Sequence, residues 1–248
     1  MLRALNLGVG GELSLADIAM RTSLHRTTVR RLLETLVTEG LVRRSASDDS
    51  FRLALGVRTL SEGFTDDEWI AQVASPVMGE LLREVVWPTD LATLDGASMV
   101  IRESTHRFSP FSFHRAMVGA RLPLLLTAMG RAYFAFCPDR ERQALGQMLR
   151  AGGDPEEAMV ARSPRALAAL VGRTREAGYG WNDREWSKEA RFSAIALPIR
   201  HDGHVLGCLN LVFTARAMTV AEAVAKHLPA LRRATDRISA EITKAGPA

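Results

Sequence analysis

Arginine and threonine cluster at the start of one amphipathic stretch, and their spacing there fits a definite chemistry. In the run Arg26-Thr27-Thr28-Val29-Arg30-Arg31-Leu32-Leu33-Glu34-Thr35-Leu36-Val37, apolar residues fall at 29, 32, 33, 36 and 37. That is a helical stripe expected to face a core. Arg26, Thr27, Thr28, Arg30 and Arg31 lie off the stripe. A guanidinium can donate two parallel hydrogen bonds to guanine O6 and N7, and a threonine can hydrogen-bond a base edge or touch a thymine methyl. The start of a helix also favours phosphate. Farther on, Arg43, Arg44 and Arg52 sit where they could reach a nucleic-acid backbone beside the groove. These eight residues are the candidate DNA contacts. The competing reading is a small helical domain with a solvated basic face.

A second segment, Thr105–Arg121, reads THRFSPFSFHRAMVGAR. Phe108, Phe111 and Phe113 beside His114 and Arg115 would suit an aromatic acid, through ring stacking and charge-assisted binding of the carboxylate. A loop anchored by its phenylalanines, with solvated arginines, is the alternative. His201 and His204 flank a turn, but no further ligand has metal-site spacing, so no metal and no cofactor are expected. Cys208 lies among Leu206, Leu209 and Leu211 and reads as a buried apolar residue. Cys137 precedes Pro138 at a helix end, and neither cysteine has a histidine partner in a nucleophile pattern. GxSxG, HExxH and P-loop motifs are absent from the sequence.

The elements that must position these residues follow from periodicity. Ser14-x-x-Asp17 opens a helix bearing Leu15, Ile18 and Ala19. Residues 21–23 turn, a longer helix runs from about His25 to Glu39, and Gly40 ends it. The period then changes to two. Segments 41–44 and 51–55 flank a polar loop and read as a β-hairpin. Two helices, a tight turn and a basic hairpin make a winged helix-turn-helix. Helical text resumes after Gly56, and a second connecting helix is expected from Asp66 to Val86. From Pro88 the texture is α+β. Strands are expected at 90–94, 99–103, 192–200 and 205–213, the last two joined by the Asp202-Gly203 turn. Helices are expected at 127–136, 139–150, 163–177 and 219–243. The boundary is drawn at 56/57.

Composition narrows the class. The chain has 248 residues, 47% hydrophobic and 24% charged, which excludes collagen-like and wholly disordered chains. Two cysteines fit a reducing compartment, and no apolar run approaches a bilayer span. No signal-peptide core is present, so a cytoplasmic location with no membrane partner is expected. Net charge is only +4, but six arginines fall within residues 21–44.

The stretch LADIAMRTSLHRTTVRRLLETLVTEGLVRR…FRLALGVRTLSEGF resembles the DNA-binding half of the IclR-type bacterial transcriptional regulators. RLPLLLTAMGRAYFAF, TREAGYG and ALPIR…GHVLGCLNLV resemble their effector-binding half. The resemblance implies an α+β chain: a winged helix-turn-helix (1–56), then a helical linker and a GAF-like effector-binding domain (57–248). Within the family, LLREVVWPTDLATLD and THRFSPFSFHRAMVGARLPLL are most similar to an activator of 3-(3-hydroxyphenyl)propionate catabolism. Carried over by position, the ligand would meet Ala128 and Met129, just before Gly130-Arg131-Ala132. It would also meet Asn182 with Trp181 beside it, and Ser193. His114 and Arg115 complete the candidate effector site.

The family's first helix is usually longer than MLRALNL, which implies a start farther upstream or a shortened docking helix. The expected partners are a double-stranded DNA operator, a small aromatic carboxylic acid, a second or fourth copy of the chain, and RNA polymerase. The expected function is ligand-responsive regulation, with activation of aromatic-acid catabolic genes. The rival is a ligand sensor or enzyme of GAF-like fold whose N-terminal helices only dock a partner.

Overall fold

Ser14 sets the start of the first helix of the helix-turn-helix. Its side chain accepts the Asp17 backbone N–H at 3.2 Å, and its hydroxyl donates to the Asp17 carboxylate at 2.6 Å. This cap opens helix α2 (Leu15–Thr22). Ser23 then adopts a left-handed conformation (φ 54°), and the chain enters α3 (Arg26–Thr38). These elements come from a computed structural model describing residues 1–8, 12–45, 48–59, 70–112, 114, 116–152 and 154–245. The chain divides into two compact units, Met1–Asp66 and Asp67–Ala248.

In the first unit a short helix α1 (Leu2–Asn6) buries Ala4 and Leu5. Strands β1 (Glu12–Leu13), β2 (Val42–Arg44) and β3 (Phe51–Leu53) form an antiparallel sheet in the order β1-β3-β2. The expected hairpin is therefore joined by a third, two-residue strand. Leu5, Leu13, Ile18, Val29, Leu33, Val42 and Phe51 form the core.

The α3 stripe is narrower than its spacing predicts. Val29 and Leu33 are fully buried, whereas Leu32 and Val37 stay exposed at 42% and 38%. Successive residues turn about 100° around a helix, so five apolar positions span a wide arc. Among the described residues α2 and β2 make the main contacts with α3, and they cover the middle of that arc. A short helix α4 (Gly56–Thr59) follows.

The second unit is built on a six-stranded antiparallel sheet in the order β6-β5-β4-β9-β8-β7. Its strands are β4 (Asp90–Asp95), β5 (Ser98–Ser104), β6 (Arg121–Pro123), β7 (Gly180–Asp183), β8 (Phe192–His201) and β9 (His204–Thr214). Alternation along the strands divides their side chains between two cores. Leu91, Ile195, Leu197, Leu209 and Leu211 face α5 (Ser75–Val85) and the long α10 (Val220–Ala245). Ala92, Met99, Ile101, Ala196 and Cys208 face the other way, toward α6 (Ala128–Phe136), α7 (Asp139–Ala151) and α9 (Pro164–Ala177). A short helix α8 (Pro155–Ala161) lies between α7 and α9.

The connecting helix expected over 66–86 is, where described, part of this unit's core. A π-type turn (Ile70–Ala74) leads into α5, which buries Val77, Met78, Leu81 and Val85. Glu84 pairs with Arg233 of α10 at 2.6 Å, and Glu80 pairs with Arg237. Residues 60–69 of the expected linker lie outside the described residues.

Candidate functional site

The outward face of α3 is formed by what its stripe leaves over. Arg26, Thr27, Thr28, Arg30 and Arg31 are all exposed, as the spacing predicts. Their directions differ. Arg31 lies about 180° from the midline of buried Val29 and Leu33, and Arg30 only about 80° from it. Arg30, Glu34 and Thr38 share a groove with Arg44 and Asp49 of the β2–β3 turn. Thr28, Arg31, Leu32 and Thr35 line the other flank. The Thr27 hydroxyl lies 2.8 Å from His25 Nδ1.

The three hairpin arginines are not equivalent. Arg52 pairs with Glu12 at 2.5 Å across β1–β3, and Arg44 pairs with Asp49. Arg43 is exposed and sits opposite Arg52 in the β2–β3 register. Glu12 offsets the repulsion between these two neighbouring like charges.

In the second unit a pocket of about 310 Å³ opens between the sheet, α6 and the 105–121 loop. This lies at the small end of ligand-site volumes. His114, Ala128, Met129, Asn182 and Ser193 all line it, as expected. Arg115 and Phe113 lie outside the described residues.

Trp181 does not line the pocket. On β7 its neighbour Asn182 points into the pocket, so strand alternation turns Trp181 to the opposite core, where it packs against Tyr179 with ring centroids 5.7 Å apart. Trp186 and Phe192 supply the pocket's aromatic surface instead. The phenylalanines of the loop also differ from expectation. A single 3-10 turn, His106–Phe108, carries His106 inward at 3% exposure and leaves Phe108 outside at 64%, under Arg107. Phe111 stacks on Trp87 at 4.7 Å.

Backbone contacts hold α6 against the pocket. Thr127 caps it, its hydroxyl accepting the Gly130 N–H at 3.2 Å. The first-turn N–H groups at Ala128 and Met129 have no partner within the helix, so the positive end of α6 faces the cavity. Close approach demands glycine at two points. A Cβ at Gly130 would lie 2.1 Å from the Leu124 carbonyl oxygen, and one at Gly180 would lie 2.2 Å from that of Ala128. Arg131 locks the arrangement, donating at 2.8 Å to the carbonyls of Leu125 and Trp181 and pairing with Glu185. Glu157 accepts the Leu125 N–H at 2.6 Å. Burial pushes its carboxyl above the ordinary range despite that bond.

Sequence reasoning missed the pocket's polar end. Asp90, His106 and Asn210 line it and are at most 4% exposed. His106 Nε2 lies 3.3 Å from Asp90 Oδ2. Asn210 Oδ1 accepts the Asp90 backbone N–H at 2.7 Å. One signal was visible: Asn210 is a lone amide in the apolar run Leu206–Phe213, and a buried amide needs partners. Glu189 adds a half-exposed carboxylate at the rim, 3.7 Å from His114.

Both halves match known families. Residues 1–46 match the IclR helix-turn-helix domain, and residues 64–240 match the C-terminal domain of bacterial IclR transcriptional regulators. The chain is 28% identical to the Pca regulon regulatory protein of Pseudomonas putida over 226 residues, 90% of this chain and 75% of that one. It is 31% identical to an HTH-type transcriptional regulator of Mycobacterium tuberculosis over 192 residues, 76% of this chain and 70% of that one. A crystal structure of an IclR homologue from Microbacterium hydrocarbonoxydans, complexed with 4-hydroxybenzoate, superposes with a TM-score of 0.66 at 23% identity and covers 98% of both chains.

These relatives do not bear out the closer likeness to an arylpropionate regulator. The matched families and relatives are transcriptional regulators, which removes the enzyme reading. No described helix is long and apolar enough to cross a membrane. With its winged helix-turn-helix and its α+β ligand-pocket unit, the chain belongs to the IclR family of bacterial transcriptional regulators.

Proposed function

We propose that this regulator answers to a small aromatic carboxylic acid and activates genes for the breakdown of such acids, of the phenylpropionate type. The supporting observation is the pocket's layout. The positive end of α6, at Ala128 and Met129, lies at one wall, and Trp186, Phe192 and Met117 offer flat apolar surface beside it. A carboxylate set against those N–H groups would leave its ring among the aromatics. The 4-hydroxybenzoate held by the Microbacterium homologue adds support for a ligand of this class.

On the DNA side, α3 would lie in the major groove with Arg26, Thr27, Thr28 and Arg31 toward the bases, while Arg30, on the wing side of α3, would meet the flanking backbone with Arg43, Arg44 and Arg52. One recognition helix covers few base pairs, so a homodimer or homotetramer on repeated half-sites would supply specificity. RNA polymerase would be the further partner of an activator working in the cytoplasm.

The test is operator binding by fluorescence anisotropy with and without benzoate, 4-hydroxybenzoate, 3-phenylpropionate and glyoxylate, paired with calorimetry on the full chain. The expected result is a shift in operator affinity of about 10-fold, matched by an equal shift in acid affinity when DNA is present. Binding of glyoxylate with no aromatic acid binding would overturn the proposal.

A further inference from the structure

A buried pair lining the pocket has an unfilled hydrogen-bonding pattern. Asp90 is 1% exposed and His106 3%. Both line the cavity, yet among the described residues Asp90 Oδ1 and His106 Nε2 have no hydrogen-bond partner. Their other atoms are committed. Asp90 Oδ2 accepts from Asn210 Nδ2 at 3.4 Å. Ser112 Oγ donates its only hydrogen to the His114 carbonyl at 2.6 Å. His106 Nδ1 lies 2.6 Å from Ser112 Oγ.

The ring's second nitrogen faces Asp90 Oδ2 at 3.3 Å. The cavity is thus offered one unfilled acceptor, Asp90 Oδ1, with His106 Nε2 beside the same carboxylate.

We infer that Asp90 and His106 form a hydroxyl-reading subsite, so that the effector is a hydroxylated aromatic acid rather than the bare acid. A hydroxyl donates to Oδ1. A ring hydrogen does not, and a fluorine or an ether oxygen leaves the carboxylate oxygen stranded. Leaving a buried charged acceptor unpaired is the kind of loss that discriminates strongly between close analogues. The subsite lines the same cavity as Ala128 and Met129, so acid and hydroxyl would be read by different parts of one site. This inference rests on the aromatic-acid reading above.

Calorimetry on the full chain tests it with 4-hydroxybenzoate, 4-fluorobenzoate and benzoate. The same measurements are made with 3-(3-hydroxyphenyl)propionate and its fluoro and unsubstituted counterparts. Fluorine is close to hydroxyl in size but has no proton to donate. In at least one series the hydroxy acid should bind at least about 10-fold more tightly than both analogues.

In Asp90→Asn, Asn210 Nδ2 should hold the new amide oxygen and turn the new amide N–H toward the cavity, so the hydroxy-to-fluoro ratio should fall toward one. Equal affinities across each wild-type series would overturn the inference and leave the aromatic-acid reading standing. No binding by any of the six acids would overturn both. The wild-type series decides the matter even if Asp90→Asn fails to fold.

Discussion

Arg30 and Arg31 are adjacent in sequence yet should fail in different ways when truncated. Both side chains are exposed, so neither alanine variant should shift thermal unfolding by more than surface changes usually do, about 0.5 kcal/mol. Arg31 stands diametrically opposite the buried Val29–Leu33 line, which makes it the deepest-reaching side chain of α3 in a groove. Arg30 leans toward the wing, in the groove shared with Arg44 and Asp49.

Arg31→Ala should remove a base contact worth about 1–3 kcal/mol, or roughly 5- to 150-fold in operator affinity, and relax preference at one base pair. Arg30→Ala should instead weaken operator and scrambled DNA alike and reduce the slope of log K against log salt by about one. The assay is fluorescence anisotropy across a salt series, with an operator selected from a random pool and a scrambled control. Unchanged operator affinity for both single variants and the double would refute DNA reading by this face. Identical salt slopes with swapped specificity effects would refute the geometric assignment.

The pocket's supports give three further expectations. Glu157 has its carboxyl raised above the ordinary 4.5 by burial. The native state therefore holds that proton where the unfolded chain releases it, and the stability this contributes is lost as pH rises from about 4.5 through the raised value. Subtracting the pH profile of Glu157→Gln from that of the wild type, by urea unfolding, should leave a decline across that window; parallel profiles would contradict it. Gly180→Ala places a Cβ 2.2 Å from the Ala128 carbonyl oxygen and 2.7 Å from the Ala132 nitrogen. It should cost about 1–3 kcal/mol, seen as a fall of several degrees in Tm, and α6 should shift with it; an unaltered Tm would show that α6 yields freely. Cys208 is fully buried and Cys137 nearly so, and burial pushes the Cys137 thiol up to about 11 and the Cys208 thiol higher still. Iodoacetamide at neutral pH should label neither until the protein unfolds, and rapid labelling of the native protein would show the core to be open.

What could be read ahead of the structure was whatever local chemistry decides. The Ser14 cap, the α3 helix and the Asp202-Gly203 turn belong to this class. Both turn residues take positive φ, at 46° and 78°, which only a few residue types tolerate cheaply. Five of the seven expected pocket residues line the cavity: Ala128, Met129, Asn182 and Ser193 because the family likeness carried their positions over, and His114 because its segment's aromatic and basic residues marked it out.

The errors arose where tertiary context decides. Leu32 and Val37 satisfy the helical period, but nothing among the described residues is broad enough to cover them. Trp181 was favoured for being aromatic and adjacent to Asn182, although adjacency on a strand means opposite faces. The strands β1, β6 and β7, of two to four residues each, are too short to carry a period. Asp90 and Asn210 are 120 positions apart, and no local pattern announces that they meet.

The pocket's polar end and its helix end rest on different kinds of order, and this bears on how a ligand could act. Asp90 and Asn210 sit on β4 and β9, neighbouring strands inside the sheet, and sheet interiors move little. His106, Ser112 and His114 belong to the loop over the cavity and are tied to one another through one serine hydroxyl. A ligand hydroxyl placed between Asp90 and His106 would bridge the fixed wall and the loop, while its carboxylate engaged α6. Such a ligand makes contacts that depend on where the loop lies, so it has the differential affinity for two arrangements that any effector must have. A ligand touching only the sheet would bind without shifting that equilibrium, however tightly it was held. The bare acid, lacking the bridge, should therefore be the poorer effector even at saturating concentration.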